Sequence, residues 1–160
     1  MLTDSSNNLW IGIYQKGVAF IPSQANMFNY IGNFSSIRNY IGSNCITALC
    51  ETTDKGKLIV GTDNDGIYLL DKNYNFIQHL TQDKNPDVPP TVMCLFEDSN
   101  KKVWIGSYLS GISLFDSQTN KLSKTSLRNN EGNEITKVYR FVEDPHKRLW
   151  IAQWEQGFIM

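Results

Sequence analysis

The residues best suited to hold a ligand fall in four short loops. They are Tyr14-Gln15-Lys16, Asp63-Asn64-Asp65, Tyr108-Leu109-Ser110 and Trp154-Glu155-Gln156. Each lies between two marked positions five residues apart, the second always glycine. Two residues after the first of these positions stands an aromatic ring in three loops, Tyr14, Tyr108 and Trp154, with Asp63 in the fourth. An aromatic plate beside amides and carboxylates suits a sugar, whose C–H face stacks while its hydroxyls form hydrogen bonds. The candidate binding residues are therefore Trp154, Glu155 and Gln156 first, then Tyr108, Tyr14 and Asp63. The alternative is that these rings pack against neighbouring loops.

Other chemistries find less footing. The two histidines, His79 and His146, have no zinc-binding spacing, and no nucleophile elbow is present. A carboxylate pair on separate units could hydrolyse a glycoside, but sequence does not place two carboxylates at the required separation. No catalytic residue is assigned. Asp63-Asn64-Asp65-Gly66 begins like a calcium loop, yet the strand-like Ile67-Tyr68-Leu69-Leu70 follows and the twelfth position is not Glu. A turn is the expectation there, with no metal and no cofactor.

The loops belong to a repeat. Leu9-Trp10-Ile11-Gly12 is followed by Leu58-Ile59-Val60-Gly61, Val103-Trp104-Ile105-Gly106 and Leu149-Trp150-Ile151-Ala152. The second glycines give the period: Gly17 to Gly66 is 49 residues, Gly66 to Gly111 is 45, and Gly111 to Gly157 is 46. Only Ala152 departs from glycine. Upstream, Asp4, Asp98 and Asp144 stand six residues before the tryptophan, and Glu97 and Glu143 seven before it. Glu51 stands eight before Ile59, so that turn has one extra residue.

Each unit reads as four short strands joined by turns. A first apolar run ends at the acids (Ile46 to Cys50, Val92 to Phe96, Val138 to Val142). The Trp-Ile-Gly run is the second strand, and the residues after the second glycine form the third. A fourth is expected at Met27 to Ile31, Phe76 to Leu80 and Lys121 to Leu127. No segment sustains a helical period with caps. Four antiparallel strands in about 40–50 residues, repeated, mark a propeller blade. The fold class is all-β, an incomplete wheel of about three and a half blades, with repeats near 1–45, 46–91, 92–134 and 135–160. The first unit is expected to open at its second strand.

The constant positions have structural explanations. Trp10, Trp104 and Trp150 supply bulk between blade faces, and Ile59 is expected to leave a looser contact. Gly17, Gly66, Gly111 and Gly157 suit positions needing positive φ. Asp98 and Asp144 can accept amide hydrogen bonds in their turns.

The pattern Glu-Asp, four residues, Leu or Val, Trp-Ile-Gly, four residues, Gly resembles the two-component regulator propeller repeat. Residues from Leu95 through Ile112 match nearly throughout, and Val142 through Gly157 match except at Ala152. The resemblance implies a seven-bladed periplasmic propeller that senses oligosaccharides for a hybrid histidine kinase. By that resemblance the chain is a periplasmic ligand-sensing segment, and any kinase activity resides outside it. A protein–protein scaffold and, less favoured, a glycan-active enzyme are the competing functions.

The totals fit a globular binding module. The chain has 160 residues and a formal net charge of −1, which argues against a phosphate-binding surface and so against nucleic acid. No stretch of 18 apolar residues spans a membrane, and no signal peptide opens the chain. Three cysteines, none in a CxxC, read as small buried thiols at Cys50 and Cys94. An open wheel exposes strand edges. The expected partners are an oligosaccharide or other small ligand, and either further blades or a second copy of the chain.

Overall fold

Short apolar runs bounded by turn residues produce strands throughout. The computed structural model describes residues 1–160 apart from 14–16, 22, 24–30, 33–39, 43–44 and 155–156; the side chains of 13, 17, 19 and 20 also lie outside the described set. Among the described residues there are strands and no helix. Met1–Tyr30 and Ile31–Met160 form two units.

The first unit is a three-stranded antiparallel sheet of β1 (Leu2–Thr3), β2 (Leu9–Ile13) and β3 (Gly17–Ile21), in that order. It opens on a stub of its first strand, where Leu2 pairs with Trp10, and not on the second strand as expected. The fourth strand expected from Met27 falls almost wholly outside the described residues.

The second unit contains three sheets. Two have four strands: β4 (Ile46–Glu51), β5 (Leu58–Thr62), β6 (Ile67–Leu70) and β7 (Phe76–Leu80), then β8 (Val92–Glu97), β9 (Val103–Ser107), β10 (Ile112–Asp116) and β11 (Lys121–Thr125). The third has β12 (Val138–Glu143), β13 (Leu149–Gln153) and β14 (Gly157–Ile159). All neighbours are antiparallel and consecutive in sequence. The first strands β4, β8 and β12 pack side by side at the inner edge. These sheets, three among the described residues of this unit, are propeller blades.

The core lies between blades. Ile59, Ile67 and Leu69 of one sheet meet Val92, Val103, Ile105 and Phe115 of the next, all at most 2% exposed. Ile112, Phe141 and Ile151 fill the following interface, with Trp104 and Phe96 against them. Each fully buried aliphatic side chain contributes roughly 1.5–3 kcal/mol. The Trp104 and Phe141 rings stand 6.0 Å apart across the blades, so the tryptophan does fill that gap. Ile59 is completely buried, so its contact is not looser.

In the second and third loops the first glycine exists for this packing. A Cβ on Gly61 would fall 2.5 Å from Cγ1 of Val92, and one on Gly106 would fall 2.6 Å from Cγ1 of Val138. The valine of the next blade occupies the space that a side chain would need.

The acids hold the turns in two ways. Oδ1 of Asp98 accepts the amides of Asn100 and Lys102, both at 2.9 Å, while Oδ2 accepts the Trp104 indole N–H at 2.9 Å. Asp4 repeats this with Ser6, Asn8 and Trp10, and Asp144 with His146, Arg148 and Trp150. The Trp10 indole is the chief reason that the Asp4 carboxyl is lowered to about 2. Desolvation opposes the charge of Asp144, but hydrogen bonds from Arg148 and Trp150 outweigh it and hold the carboxyl below its usual range. The second blade has Ile59 for Trp and Thr52 for Asp. Thr52 Oγ1 still accepts the Lys57 amide at 3.1 Å, and no indole remains to be held.

The glutamates before Asp98 and Asp144 serve a different blade. Glu97 accepts the Thr53 amide at 2.9 Å, and Glu143 accepts the Ser99 amide and hydroxyl, both at 2.9 Å. Each carboxylate thus closes the turn of the preceding blade. At the equivalent position of the third sheet stands Pro145, which has no N–H to offer.

Candidate functional site

The loop between the two glycines is closed by a small hydroxyl residue. Thr62 and Ser107 follow the first glycine and are fully buried. The Thr62 hydroxyl donates to the Gly66 carbonyl at 2.8 Å and its amide donates at 3.1 Å; Ser107 does the same to Gly111 at 2.9 and 3.1 Å. The second glycine completes the reversal. Gly66 has φ of 69°, and a Cβ there would lie 2.3 Å from the Leu80 carbonyl oxygen. Only glycine fits. Gly111 and Gly157, at 79° and 78°, share the left-handed conformation.

Two further bonds place these loops on one rim. The amides of Asp63, Tyr108 and Trp154 donate to the carbonyls of Cys45, Thr91 and Lys137, each just before its own blade's first strand. The amides of Gly66 and Gly111 reach on to Pro90 and Thr136 of the next blade. Three of the sequence-derived site residues therefore stand at equivalent places on the same edge.

Tyr108 and Trp154 come together there. Trp154 is 46% exposed and lies 5.7 Å, centroid to centroid, from the Tyr139 ring, tilted by 57°. Lys137 Nζ lies 6.0 Å above the Tyr108 ring. Met93 and Val138 complete the floor of this cluster. Asp63 is not part of it: its Oδ1 accepts the Thr91 hydroxyl at 3.1 Å. Tyr14, Glu155 and Gln156 lie outside the described residues.

The cluster continues into a groove along the inner strands. The first strands β4, β8 and β12 each carry an irregularity at the same register, between Ile46 and Ala48, Val92 and Cys94, and Val138 and Arg140. Such bulges re-aim side chains. The bulged residues are Thr47, Met93 and Tyr139, and all three line a groove of about 520 Å³ with Leu49, Leu95 and Arg140. Met93 and Tyr139 belong to both features. Sequence reasoning missed Tyr139, Met93 and Arg140, because one extra residue in an apolar run leaves no mark in its composition. The repeated small hydroxyl at Thr62 and Ser107 was a readable signal for the loop closure.

Elsewhere, His79 and Tyr68 bind Asp65. His79 Nε2 is 2.7 Å from the Asp65 carbonyl, the Tyr68 hydroxyl donates to Asp65 Oδ2 at 2.7 Å, and the two rings stack 3.9 Å apart. Burial, then the Asp65 bond, raises the Tyr68 hydroxyl to about 12. This network ties the turn at Asp65 to β6 and β7. Among the described residues no group of three His, Cys, Asp or Glu could hold a metal ion. Burial also raises the Cys94 thiol, to about 12.

Residues 88–109 match the family model for the two component regulator propeller. That segment is similar to one copy of the propeller repeat. The matched segment runs from Val88 through β8, the Asp98–Trp104 pair and Gly106 to the rim residues Tyr108 and Leu109. No curated protein matches the chain. Among solved structures, the extracellular domain of the hybrid two component system BT3049 from B. thetaiotaomicron is 25% identical with a TM-score of 0.75, over 99% of this chain and 21% of that one. The extracellular domain of BT4673 from the same organism is 21% identical with a TM-score of 0.67, over 98% of this chain and 21% of that one, a likeness of fold alone. The propeller segment thus spans about a fifth of the length of either structure.

Proposed function

We propose that this propeller segment belongs to the periplasmic sensor portion of a hybrid two-component system, where it binds an oligosaccharide and does not transform it. The observation that carries the reading is the convergence of Tyr108, Tyr139 and Trp154 on one rim, each 43–54% exposed. Exposed rings held by backbone bonds offer flat stacking faces at little entropic cost. The resemblance of the fold to extracellular domains of hybrid two component systems supports the sensing role. Kinase activity would reside in other parts of the full-length protein.

The test is Trp154→Ala in the full-length protein, with binding measured by calorimetry against the glycan found in an oligosaccharide screen. Loss of one stacking face should weaken binding about tenfold. Unchanged affinity would remove Trp154 from the site.

A further inference from the structure

The groove beside the aromatic rim has a charge character of its own. Its walls are apolar, formed by Leu49, Met93, Leu95 and Phe141 on three successive inner strands. One cation, Arg140, enters it, and no acidic side chain lines it. Arg140 is exposed, follows the bulge at Tyr139, and has no ion-pair partner among the described residues. Each of the three strands ends on an acid, Glu51, Glu97 and Glu143, outside the groove lining; Glu97 and Glu143 are held by the turn amides of the preceding blades. An arginine on an apolar wall with no carboxylate beside it is complementary to an anion. Its planar fork matches a carboxylate in particular, because two parallel N–H···O bonds form at once.

We infer that the oligosaccharide bears a carboxylate, a uronic acid, and that Arg140 receives it while Tyr139 and Trp154 stack on adjoining sugar rings. This rests on the oligosaccharide reading above and adds the ligand's charge. Lys137, three residues upstream with its ammonium over Tyr108, lends positive potential to the same edge.

The full-length protein should be screened against neutral oligosaccharides (gluco-, manno-, xylo-, galacto- and fructo-), uronate oligosaccharides (galacturonate, alginate, glucuronoxylan) and sulfated galactans. Binding confined to the uronate set is expected. Arg140→Gln should then weaken that binding about 10- to 100-fold, as for loss of a charge-assisted hydrogen-bonded pair, with the melting temperature unchanged. Methyl-esterifying the bound uronate should weaken wild-type binding to a similar extent and the variant's hardly further. Binding of neutral or sulfated glycans only, or wild-type affinity in Arg140→Gln, overturns the inference and leaves the sensor reading standing. Binding of no glycan at all overturns both.

Discussion

Adding one methyl group at Gly106 should loosen the interface between the second and third sheets of the larger unit. The Cβ of an alanine there would lie 2.6 Å from both Cγ1 of Val138 and Sγ of Cys94, and 2.9 Å from Cβ of Val138. Ordinary carbon contacts are about 3.5–4.0 Å, so the overlap is on the order of 1 Å. Neither neighbour can step aside freely. Val138 is 2% exposed and begins β12, so its Cβ moves only if the strand moves. Overpacking of this kind costs about 1–3 kcal/mol. In a chain of this size each kcal/mol lowers the melting temperature by about 2–4 °C, so Gly106→Ala should melt about 2–12 °C lower. Thermal unfolding followed by far-ultraviolet circular dichroism would measure it. Val138→Ala alone should also destabilise, by leaving a void. The double variant should be more stable than the sum of the singles by about 1 kcal/mol, since the second change removes Cγ1 of Val138, one of the atoms struck by the first. Strict additivity, or a Gly106→Ala melting point equal to wild type, would refute the packing role given to this glycine.

Two further outcomes follow from the turns. Glu143→Ala, which strips the Ser99 amide and hydroxyl of their acceptor, should lower the melting temperature by a few degrees, while Glu143→Gln should retain part of the loss because its carbonyl still accepts one bond. Acid should weaken the turns as well: Asp4 falls from its ordinary 3.8 to about 2 in the folded chain, and Asp71, Asp116 and Asp144 are lowered too. A depressed carboxylate stabilises fully above its unfolded value and loses that contribution as pH falls towards its folded one, so melting temperature should drop between about pH 4 and pH 2. Asp4→Asn and Asp144→Asn should flatten that drop, and an unaltered slope in a melting series from pH 6 to pH 2 would count against it.

The blades were legible because their determinants are local and repeated. Trp104, Gly106 and Gly111 recur at fixed spacing, and each is set by its own turn or by the blade next to it. The positive φ of Gly66, Gly111 and Gly157 and the Asx turns at Asp98 and Asp144 follow from short-range sterics and hydrogen bonding, which sequence encodes directly. The burial of Ile59 was not legible, since it depends on how Val92, Val103 and Phe115 close over it. The site was half legible. The loop position of Tyr108 and Trp154 could be read from the glycines, but Tyr139 and Arg140 sit in a strand whose bulge reverses the simple alternation of faces. Reading them as wall residues requires the register.

The reach of Glu97 and Glu143 into the preceding blade bears on how such chains can be cut and rejoined. The repeat as read along the sequence is not the unit that is chemically complete, because a turn and the carboxylate that finishes it are 44 residues apart. A blade moved with boundaries drawn at its own first strand leaves one turn amide without its acceptor and brings a carboxylate whose target stays behind. Grafts and recombinants should therefore tolerate junctions only where the incoming blade meets a turn with an N–H after its Asp or Thr, as at Thr53 and Ser99. Pro145 marks a junction where that requirement is lifted, and a blade lacking the glutamate could be exchanged there at no loss of pairing.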